Sequence, residues 1–376
     1  MTVIAVLPGD GIGSEILDGP LEFLRRLAAA GAPLTLTGPL PYGTAGWHAT
    51  GSILPEETIE ACRSADVVLS GAVGTHPGVT AEECPNPEAA LISLRNLFDL
   101  RVSVRTVWVP QLSEDVTIVR NITGGAYADP SQREESDGVS AAVDQLRLLP
   151  ARVSEVLEMA AGFTVDAPGR RYISVDKASV FATSRLWRAT AEQVADRTGV
   201  AFDHVNVDRA AYELVSYPQL PAVIATEGIF GDILSDIVCA RAGSPALCGS
   251  ATINPDRNFG SGITALFEPA HGSSPHRTGT RRSNPTAPGS RWQHCSTGAP
   301  TCGSWAGQPG SARRSRWPTG RVCAPTTSPH PSRNSSTWMA TTRGFSTNYT
   351  PSSLPEGSGC GSHPDEPSRP PIRHQP

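Results

Sequence analysis

Near its N-terminus the chain reads Val3-Ile4-Ala5-Val6-Leu7-Pro8-Gly9-Asp10-Gly11-Ile12-Gly13, and apolar residues then recur at helical spacing over 16–30. The first five residues form a short apolar run, and the proline and glycines that follow favour a turn. This pattern predicts a strand, a turn and a helix. A similar alternation, a helix over 58–62 and a strand over 67–69, indicates an α/β sheet.

The same periodicities extend this α/β pattern along the chain. They predict strands over 116–119, 172–175, 202–207 and 223–225, and helices over 152–161, 180–197 and 233–240. The turn from Gly9 to Gly13 could place a phosphate or ribose at a helix N-terminus, although its glycines are not spaced as in the dinucleotide-binding fingerprint. An ordinary tight turn remains the alternative.

The composition is that of a globular protein with one large or two ordinary domains. The chain has 376 residues, a formal net charge of −5 and 39% hydrophobic residues. No stretch approaches the roughly 18 apolar residues of a membrane helix, and the first residues do not resemble a secretory signal. The eight cysteines have neither metal-ligand spacing nor the pattern of a disulfide framework. We therefore expect a cytoplasmic protein without a membrane partner.

The composition changes after His276. Residues 277–376 contain 12 arginines and three acidic residues, a net charge of +9, whereas the preceding residues carry −14. After Thr286 branched aliphatic residues are rare, which predicts a disordered tail over 287–376. We hypothesise a reading-frame shift between 286 and 293. A genuine basic tail that binds nucleic acid is the competing interpretation, disfavoured because the tail has no repeats and no basic cluster longer than a pair.

Two single residues are candidates for proton transfer. Of the 31 basic residues one is lysine, Lys177, and it follows a predicted strand in Ser174-Val175-Asp176-Lys177. Tyr127 follows the flexible stretch from Thr123 to Ala126. An amine and a phenol can both act as general acid or base when their surroundings shift the pKa. The alternatives are an accidental lysine and a packed aromatic.

Two groups of charged residues indicate a metal and an anionic ligand. Asp232 and Asp236 lie at i and i+4 of a predicted helix, and paired carboxylates suit Mg²⁺ or Mn²⁺. Arg95, Arg105 and Arg120 interrupt apolar stretches that we interpret as buried strands, so each needs an anionic partner. A solvated helix face and structural ion pairs are the respective alternatives.

Together these motifs resemble those of the metal-dependent β-decarboxylating dehydrogenases, the family of isocitrate and 3-isopropylmalate dehydrogenases. The matching motifs, in chain order, are Leu7 to Gly13, Arg95 with Arg105, Arg120 with Tyr127, Ser174 to Lys177, Val207-Asp208, Thr226-Glu227 before Phe230 to Asp236, and Phe267 to Ser273. The resemblance spans residues 3 to about 275. It implies a two-domain α/β fold with a large mixed sheet flanked by helices, distinct from the Rossmann fold.

The resemblance also implies a domain arrangement and a homodimer. The first domain would be discontinuous, over 1–103 and 246–286, and the central domain over 104–245 would carry a dimer arm and the metal site. The active sites would be shared between the two subunits. The helices that normally complete the first domain would be lost in this chain, so an inactive family remnant stays an alternative.

For the chemistry, the resemblance implies a role for each motif. Arg95, Arg105 and Arg120 would hold malate carboxylates. Asp232 and Asp236, with Asp208 of the partner subunit, would hold Mg²⁺ or Mn²⁺, and Asp208 would also contact the substrate. Lys177 of the partner subunit would accept the hydroxyl proton, and Tyr127 would protonate the enolate.

The family motifs also imply a substrate and a cofactor. Leu91 and Ile92, with Val180 of the partner subunit, would form an apolar wall that favours a 3-alkylmalate. The expected reaction is 3-isopropylmalate to 4-methyl-2-oxopentanoate in leucine biosynthesis; isocitrate, homoisocitrate, tartrate and D-malate remain alternatives. The residues implied for NAD are Ile12, Glu268, His271, Gly272, Ser273 and Asn284. NADP stays open because His276 and Arg277 stand where NAD-dependent members have an acidic residue.

Overall fold

The computed structural model describes residues 1–74, 84, 86–125, 132–136, 139–164, 168–257, 260 and 262–280. The strands are β1 (Thr2–Leu7), β2 (Leu34–Thr37), β3 (Val67–Ser70), β4 (Val102–Val109), β5 (Glu114–Asn121), β6 (Gln132–Ser136), β7 (Val139–Val143), β8 (Tyr172–Asp176), β9 (Asp203–Asn206), β10 (Val223–Thr226), β11 (Cys248–Ile253) and β12 (Ala265–Pro269). The helices are α1 (Gly13–Ala29), α2 (Thr44–Thr50), α3 (Glu56–Arg63), α4 (Ala89–Leu97), α5 (Pro150–Phe163), α6 (Ala182–Thr198), α7 (Val207–Ser216) and α8 (Gly228–Ala242).

The described strands form one large mixed sheet and a separate hairpin. The ten-stranded sheet has the order β2-β1-β3-β12-β11-β4-β5-β10-β8-β9, and β6 pairs with β7 alone. The outer strands run parallel, whereas β4 is antiparallel to both β5 and β11 at the centre. This arrangement confirms the predicted α/β fold with a mixed sheet flanked by helices.

Helices cover both faces of the sheet, because the side chains along each strand point alternately to two sets of apolar neighbours. In β5, Val119 packs in a cluster with Val153 of α5 and Trp187 of α6. The preceding residue, Ile118, packs in another cluster with Leu234 of α8. Since successive side chains of a strand point to opposite faces, α5 and α6 cover one face and α8 the other. In the first half of the sheet, further clusters involve α1, α3 and α4.

Most predicted elements are confirmed, but several boundaries were wrong. The strand predicted over 202–207 ends at Asn206, and Val207 already belongs to α7. The helix predicted from residue 180 begins at Ala182. The helix predicted over 233–240 begins at Gly228, because the buried carboxylate of Glu227 accepts hydrogen bonds from the backbone N–H groups of its first turn. The periodicity analysis did not identify the helices α2, α4 and α7 or the strands β2, β6, β7, β11 and β12.

The domain division stays a prediction. Its boundary at 103/104 lies inside β4, and β4 pairs with β11 over the six register pairs from Val102↔Ile253 to Val107↔Cys248, so the sheet is continuous there. The predicted tail, Tyr127 and Asn284 lie outside the described residues. In the part of the chain that the structure describes, no helix is long and apolar enough to cross a membrane.

Candidate active site

A cleft of about 280 Å³ collects half of the candidate site residues that the sequence singled out. It lies where the loops after β3 and β12 meet α4, β4, β5 and α8. Its lining residues are Gly71, Ala72, Val73, Glu88, Leu91, Arg95, Arg105, Arg120, Asp232, Glu268, Pro269, Ala270, His271 and Gly272. All three predicted arginines and one of the two predicted helix carboxylates are therefore in one cleft.

Two of the cleft arginines share one carboxylate. In the antiparallel register of β4 and β5, Arg105 lies opposite Ile118 and Arg120 opposite Ser103, so the arginines are diagonal neighbours on the face that α8 covers. Nη1 of Arg105 is 3.0 Å, and Nη2 of Arg120 2.9 Å, from Oδ1 of Asp232. The first turns of α8 thus present a carboxylate to two largely buried guanidinium groups.

Further contacts with α8 fix the direction of these two guanidinium groups. Nη1 of Arg105 donates to Oγ of Ser235 over 2.7 Å, and Nη1 of Arg120 donates to the carbonyl oxygen of Gly228 over 2.8 Å. Helix α8 approaches closely because residue 231 is glycine. A Cβ atom there would lie 2.8 Å from Cδ of Arg120.

Arg95 lies on α4, so our interpretation of its surroundings as a strand was wrong. Its guanidinium group forms an ion pair with Glu268, which is almost fully buried at the end of β12. Among the described residues, the Nε atoms of Arg95 and Arg105 are buried and have no hydrogen-bond partner. Buried donors without partners are costly, so these atoms provide unused hydrogen-bonding capacity for an anion.

The glycine turn before α1 packs against the segment that holds the expected cofactor residues. Ile12 N donates to the carbonyl oxygen of Ser273 over 2.9 Å. Gly11 has φ +56°, and a Cβ atom there would lie 2.2 Å from that same oxygen, so a side chain would force the two segments apart. The structure therefore brings Ile12 and Ser273 together, next to His271 and Gly272 in the cleft lining.

Asp10 ties this glycine turn to two other loops. Its buried carboxylate accepts hydrogen bonds from Thr44 N over 3.0 Å and from Gly74 N over 3.3 Å. Burial raises the pKa of Asp10, although these backbone donors act in the opposite direction. The sequence analysis missed this role of Asp10. The signal was an acidic residue within a glycine turn, where a short carboxylate readily bonds to backbone N–H groups.

Lys177 and Asp208 form a separate ion pair that is not part of the cleft lining. Nζ of Lys177, directly after β8, is 2.5 Å from Oδ1 of Asp208 in the first turn of α7. The side chain of Asp208 is 68% exposed and that of Lys177 25%. The hydrogen bond from Lys177 lowers the pKa of Asp208.

The expected metal ligands are likewise divided within one chain. Asp232 lines the cleft, while Asp236, one turn later on α8, is exposed and lies outside the lining. Asp208 lies beside Lys177 instead. Among the residues with a described placement, no three His, Cys, Asp or Glu side chains are grouped to hold a metal ion.

The expected apolar wall is only partly in the cleft. Leu91 lines it and is partly buried, whereas Ile92 is 52% exposed and is absent from the lining. Val180 is also exposed. Glu88 and Ser235, which the analysis of single motifs did not select, lie in the cleft and beside Arg105 respectively. Ser235 precedes Asp236, so its position on α8 was the available signal.

Comparison with known sequences identifies the family to which the chain belongs. The sequence model of the isocitrate/isopropylmalate dehydrogenase family matches residues 3–288, so the match ends near the start of the predicted tail. The 3-isopropylmalate dehydrogenase of Geobacillus kaustophilus is 39% identical over 307 residues, covering 76% of this chain and 79% of that protein. That of Bacillus subtilis is 38% identical over 307 residues, covering 76% and 80%.

Solved structures agree with this assignment. The isocitrate dehydrogenase of Methylococcus capsulatus superposes with a TM-score of 0.66 at 26% identity, covering 80% of this chain and 87% of that one. The β-decarboxylating dehydrogenase of Thermococcus kodakarensis, in its apo form, gives a TM-score of 0.60 at 29% identity and covers 76% and 80%. The chain belongs to the isocitrate/isopropylmalate dehydrogenase family of β-decarboxylating oxidoreductases.

Proposed function

We propose that this chain catalyses the oxidative decarboxylation of 3-isopropylmalate to 4-methyl-2-oxopentanoate, a step of leucine biosynthesis, with NAD and Mg²⁺ or Mn²⁺. The observation that carries the proposal is the grouping of Arg95, Arg105 and Arg120 around one cleft. Two of their Nε atoms are buried donors without a partner among the described residues. A substrate with two carboxylates would satisfy these donors.

The side chain of Leu91 supports an alkylmalate rather than a more polar malate. It lines the same cleft as the arginines, so an alkyl group on the substrate would have an apolar neighbour. Isocitrate and homoisocitrate would place a third carboxylate there, and tartrate a hydroxyl group. These substrates are therefore the competitors against which 3-isopropylmalate is compared.

The residues present fit a divalent cation. Asp232 and Asp236 offer hard oxygen ligands one helical turn apart on α8, the donor type that Mg²⁺ and Mn²⁺ prefer. The carboxylate of Asp232 lies between Arg105 and Arg120, so a cation at Asp232 would release donors of both arginines for the substrate. A third protein ligand, Asp208, would come from the partner subunit.

The residues present also fit a dinucleotide. Gly272 lies in the cleft lining, and a Cβ atom there would meet no atom within 4 Å, so its backbone is open to a ligand. Ile12, His271 and Ser273 lie near it, and the buried Glu268 also lines the cleft. Arg277, five residues after Gly272, is exposed, so NADP is a candidate cofactor beside NAD.

In the proposed reaction the protein binds and orients the substrate, and it moves two protons. The cleft arginines hold the malate carboxylates, Lys177 of the partner subunit accepts the proton of the 2-hydroxyl group, and Tyr127 returns a proton to carbon 3 after carbon dioxide has left. When bound, the dinucleotide accepts hydride from carbon 2 and the cation polarises the 2-oxo group. In the structure the amine of Lys177 lies beside the carboxylate of Asp208, the residue expected to hold the cation as well.

Exposed apolar side chains on α7 and α8 support a homodimer with shared active sites. Tyr212 and Val215 on α7 are 58% and 65% exposed, and Ile233 on α8 is 56% exposed. Large apolar side chains exposed on two packed helices are typical of a subunit interface. Because α7 also begins with the Asp208 turn, pairing through these helices would bring Lys177 and Asp208 to the other subunit's cleft.

The test is the reduction of NAD⁺ and NADP⁺ by this chain with Mn²⁺ and each candidate malate. We expect the highest kcat/KM with 3-isopropylmalate and NAD⁺, and loss of turnover in Arg105→Gln. Higher kcat/KM with isocitrate, homoisocitrate, tartrate or D-malate would overturn the proposed substrate. A variant with the reading frame restored after residue 286 is measured in parallel. Activity in that variant alone would show that residues 287–376 as written abolish the reaction.

A further inference from the structure

Three side chains on one face of α6 bind the carboxyl end of β8, directly before and at Lys177. Ser184, Trp187 and Arg188 are spaced i, i+3 and i+4, so they point the same way. Oγ of Ser184 accepts a hydrogen bond from Lys177 N over 2.9 Å. Trp187 Nε1 donates to Oγ of Ser174 over 2.9 Å. These contacts fix the register between the helix and the end of the strand.

Arg188 makes the third contact through a buried carboxylate. Its Nε and Nη2 atoms donate to the two oxygens of Asp176 over 3.0 and 2.8 Å, a bidentate arrangement. Asp176 is 1% exposed and also accepts a hydrogen bond from Ala178 N over 2.8 Å. The carboxylate of Asp176, before Lys177, therefore binds both Arg188 of α6 and the backbone of Ala178, after Lys177.

Both backbone polar groups of Lys177 are engaged as well. Its N–H is bonded to Ser184, and its carbonyl oxygen accepts hydrogen bonds from Val180 N and Phe181 N, each over 2.9 Å. With the backbone held in this way, the Cα–Cβ bond of Lys177 has a fixed direction. Its Nζ atom then lies against Asp208.

We propose that Asp176, Ser184 and Arg188, here called the α6 clamp, are positioning residues that act through Lys177. They hold the backbone of Lys177 so that its amine projects from the end of β8 at a fixed place, ready to meet the substrate's hydroxyl group. A bidentate arginine suits this purpose because its planar fork fixes the direction of the carboxylate as well as its distance. This inference rests on the proposed function, in which Lys177 accepts a proton.

An observation independent of activity tests the geometry of the clamp. Because the chain has one lysine, protein labelled with ¹⁵N-lysine gives one backbone amide resonance, that of Lys177. We expect Ser184→Ala to speed hydrogen exchange of this amide by about tenfold or more, since it removes the acceptor. Trp187→Phe is the matched control. It removes a bond to Ser174 from the same helix face and should leave this exchange rate within about twofold.

Kinetics test whether the clamp acts through Lys177. Displacing a reacting group by about 1 Å can cost about 100-fold in rate, so we expect Arg188→Gln and Ser184→Ala to lower kcat about 10- to 100-fold. KM for the malate should change little. In a Lys177→Ala background the same substitutions should have no further effect on kcat, because the group they position is gone. A merely structural role would lower kcat in both backgrounds.

The two measurements separate the possible failures. Fast exchange in Ser184→Ala, with loss of kcat only when Lys177 is present, supports the α6 clamp. An amide that stays protected in Ser184→Ala, or equal losses in both backgrounds, overturns it. If the unmutated protein does not turn over any malate but shows the expected exchange pattern, the clamp geometry is supported and the proposed function fails. Ser184→Ala keeps the test valid if Arg188→Gln does not fold, because it leaves the Asp176 pair intact.

Discussion

The cleft and the Lys177–Asp208 pair contain similar charges in opposite surroundings. In the cleft, Arg105 and Arg120 are largely buried and share Asp232. At the other location, Lys177 and Asp208 face solvent, and Asp208 is mostly exposed. Buried guanidinium groups require an anion at all times, whereas an exposed pair contributes little to the fold and readily exchanges partners. The cleft arginines are thus paired with carboxylates of their own chain, and Asp208 is accessible to another molecule.

The two locations also differ in how their charges are balanced before substrate binds. Asp232 supplies the arginines with a negative charge in the free protein, and Glu268 does the same for Arg95. The malate carboxylates would therefore exchange with protein carboxylates rather than with water. In the empty cleft, the protein carboxylates keep the electrostatic cost of the buried arginines small. The Lys177–Asp208 pair needs no such replacement, because water reaches the carboxylate of Asp208.

The largest expected effect tests whether the cleft and the Lys177 of one active site come from different subunits. Lys177→Ala should lower kcat about 10²- to 10⁴-fold, the contribution of a general base, and Asp232→Asn should also abolish activity by removing a metal ligand. If each site takes Lys177 from the partner subunit, mixing the two inactive dimers and allowing subunit exchange should restore about a quarter of the sites. Steady-state turnover of the mixture measures this recovery.

Two controls make the complementation result decisive. Each variant mixed with itself should remain inactive, and both should keep the dimer mass and the thermal midpoint of the unmutated protein. Folded, exchanging dimers that regain no turnover would place Lys177 and the cleft of one site in the same subunit.

The next effect compares how much an ion pair at each location contributes to the free energy of unfolding. Glu268→Gln should lower the free energy of unfolding by about 2–3 kcal/mol, because the guanidinium group of Arg95 stays in place without its charged partner. Asp208→Asn should lower the urea midpoint much less at pH 7, because the carboxylate of Asp208 is mostly exposed. Urea unfolding followed by circular dichroism measures both. Equal losses in the two variants would contradict the contrast between buried and exposed pairs.

A smaller effect tests how closely α8 approaches Arg120. Gly231→Ala would place a Cβ atom 2.8 Å from Cδ of Arg120, so the arginine or the helix must move. We expect KM for the malate to rise about tenfold, equivalent to about 1.4 kcal/mol. Alanine is itself favourable in a helix, so the fold should be retained. An unchanged KM would show that the position of Arg120 is not set by this contact.

Residues with local patterns were placed well by the sequence. The apolar run, turn and helix from Val3 onward predicted β1 and α1, and the i, i+4 spacing of Asp232 and Asp236 placed both on one helix. Arg95 was misassigned because a short apolar stretch has the same appearance in a helix and in a buried strand. Glu227 was not recognised as a cap because its carboxylate bonds to backbone groups, which leave no periodic signal.

The pairing of charges could not be read from the sequence. Asp232 meets Arg105 and Arg120 over more than 100 residues of chain, and the contact depends on the register of β4 with β5 and on the glycine at 231. Similarly, nothing local indicated that Ser184 and Arg188 would bind the end of β8. Such contacts follow from which elements are neighbours in the sheet, and that order is a property of the whole fold.

The smallest expected effect concerns Asp10, the buried carboxylate behind the cleft. Because burial raises its pKa, the folded protein binds this proton more tightly than the unfolded chain. Asp10 therefore stabilises most at pH values below the ordinary aspartate pKa, and this contribution is lost as the pH rises through the folded-state pKa. Asp10→Asn cannot titrate, so the urea midpoint of the unmutated protein should fall relative to that of the variant over this interval. Parallel pH profiles would contradict the effect of burial. They would indicate that the N–H groups of Thr44 and Gly74 stabilise the ionised carboxylate enough to offset it, as the arginines do for Asp232 in the cleft.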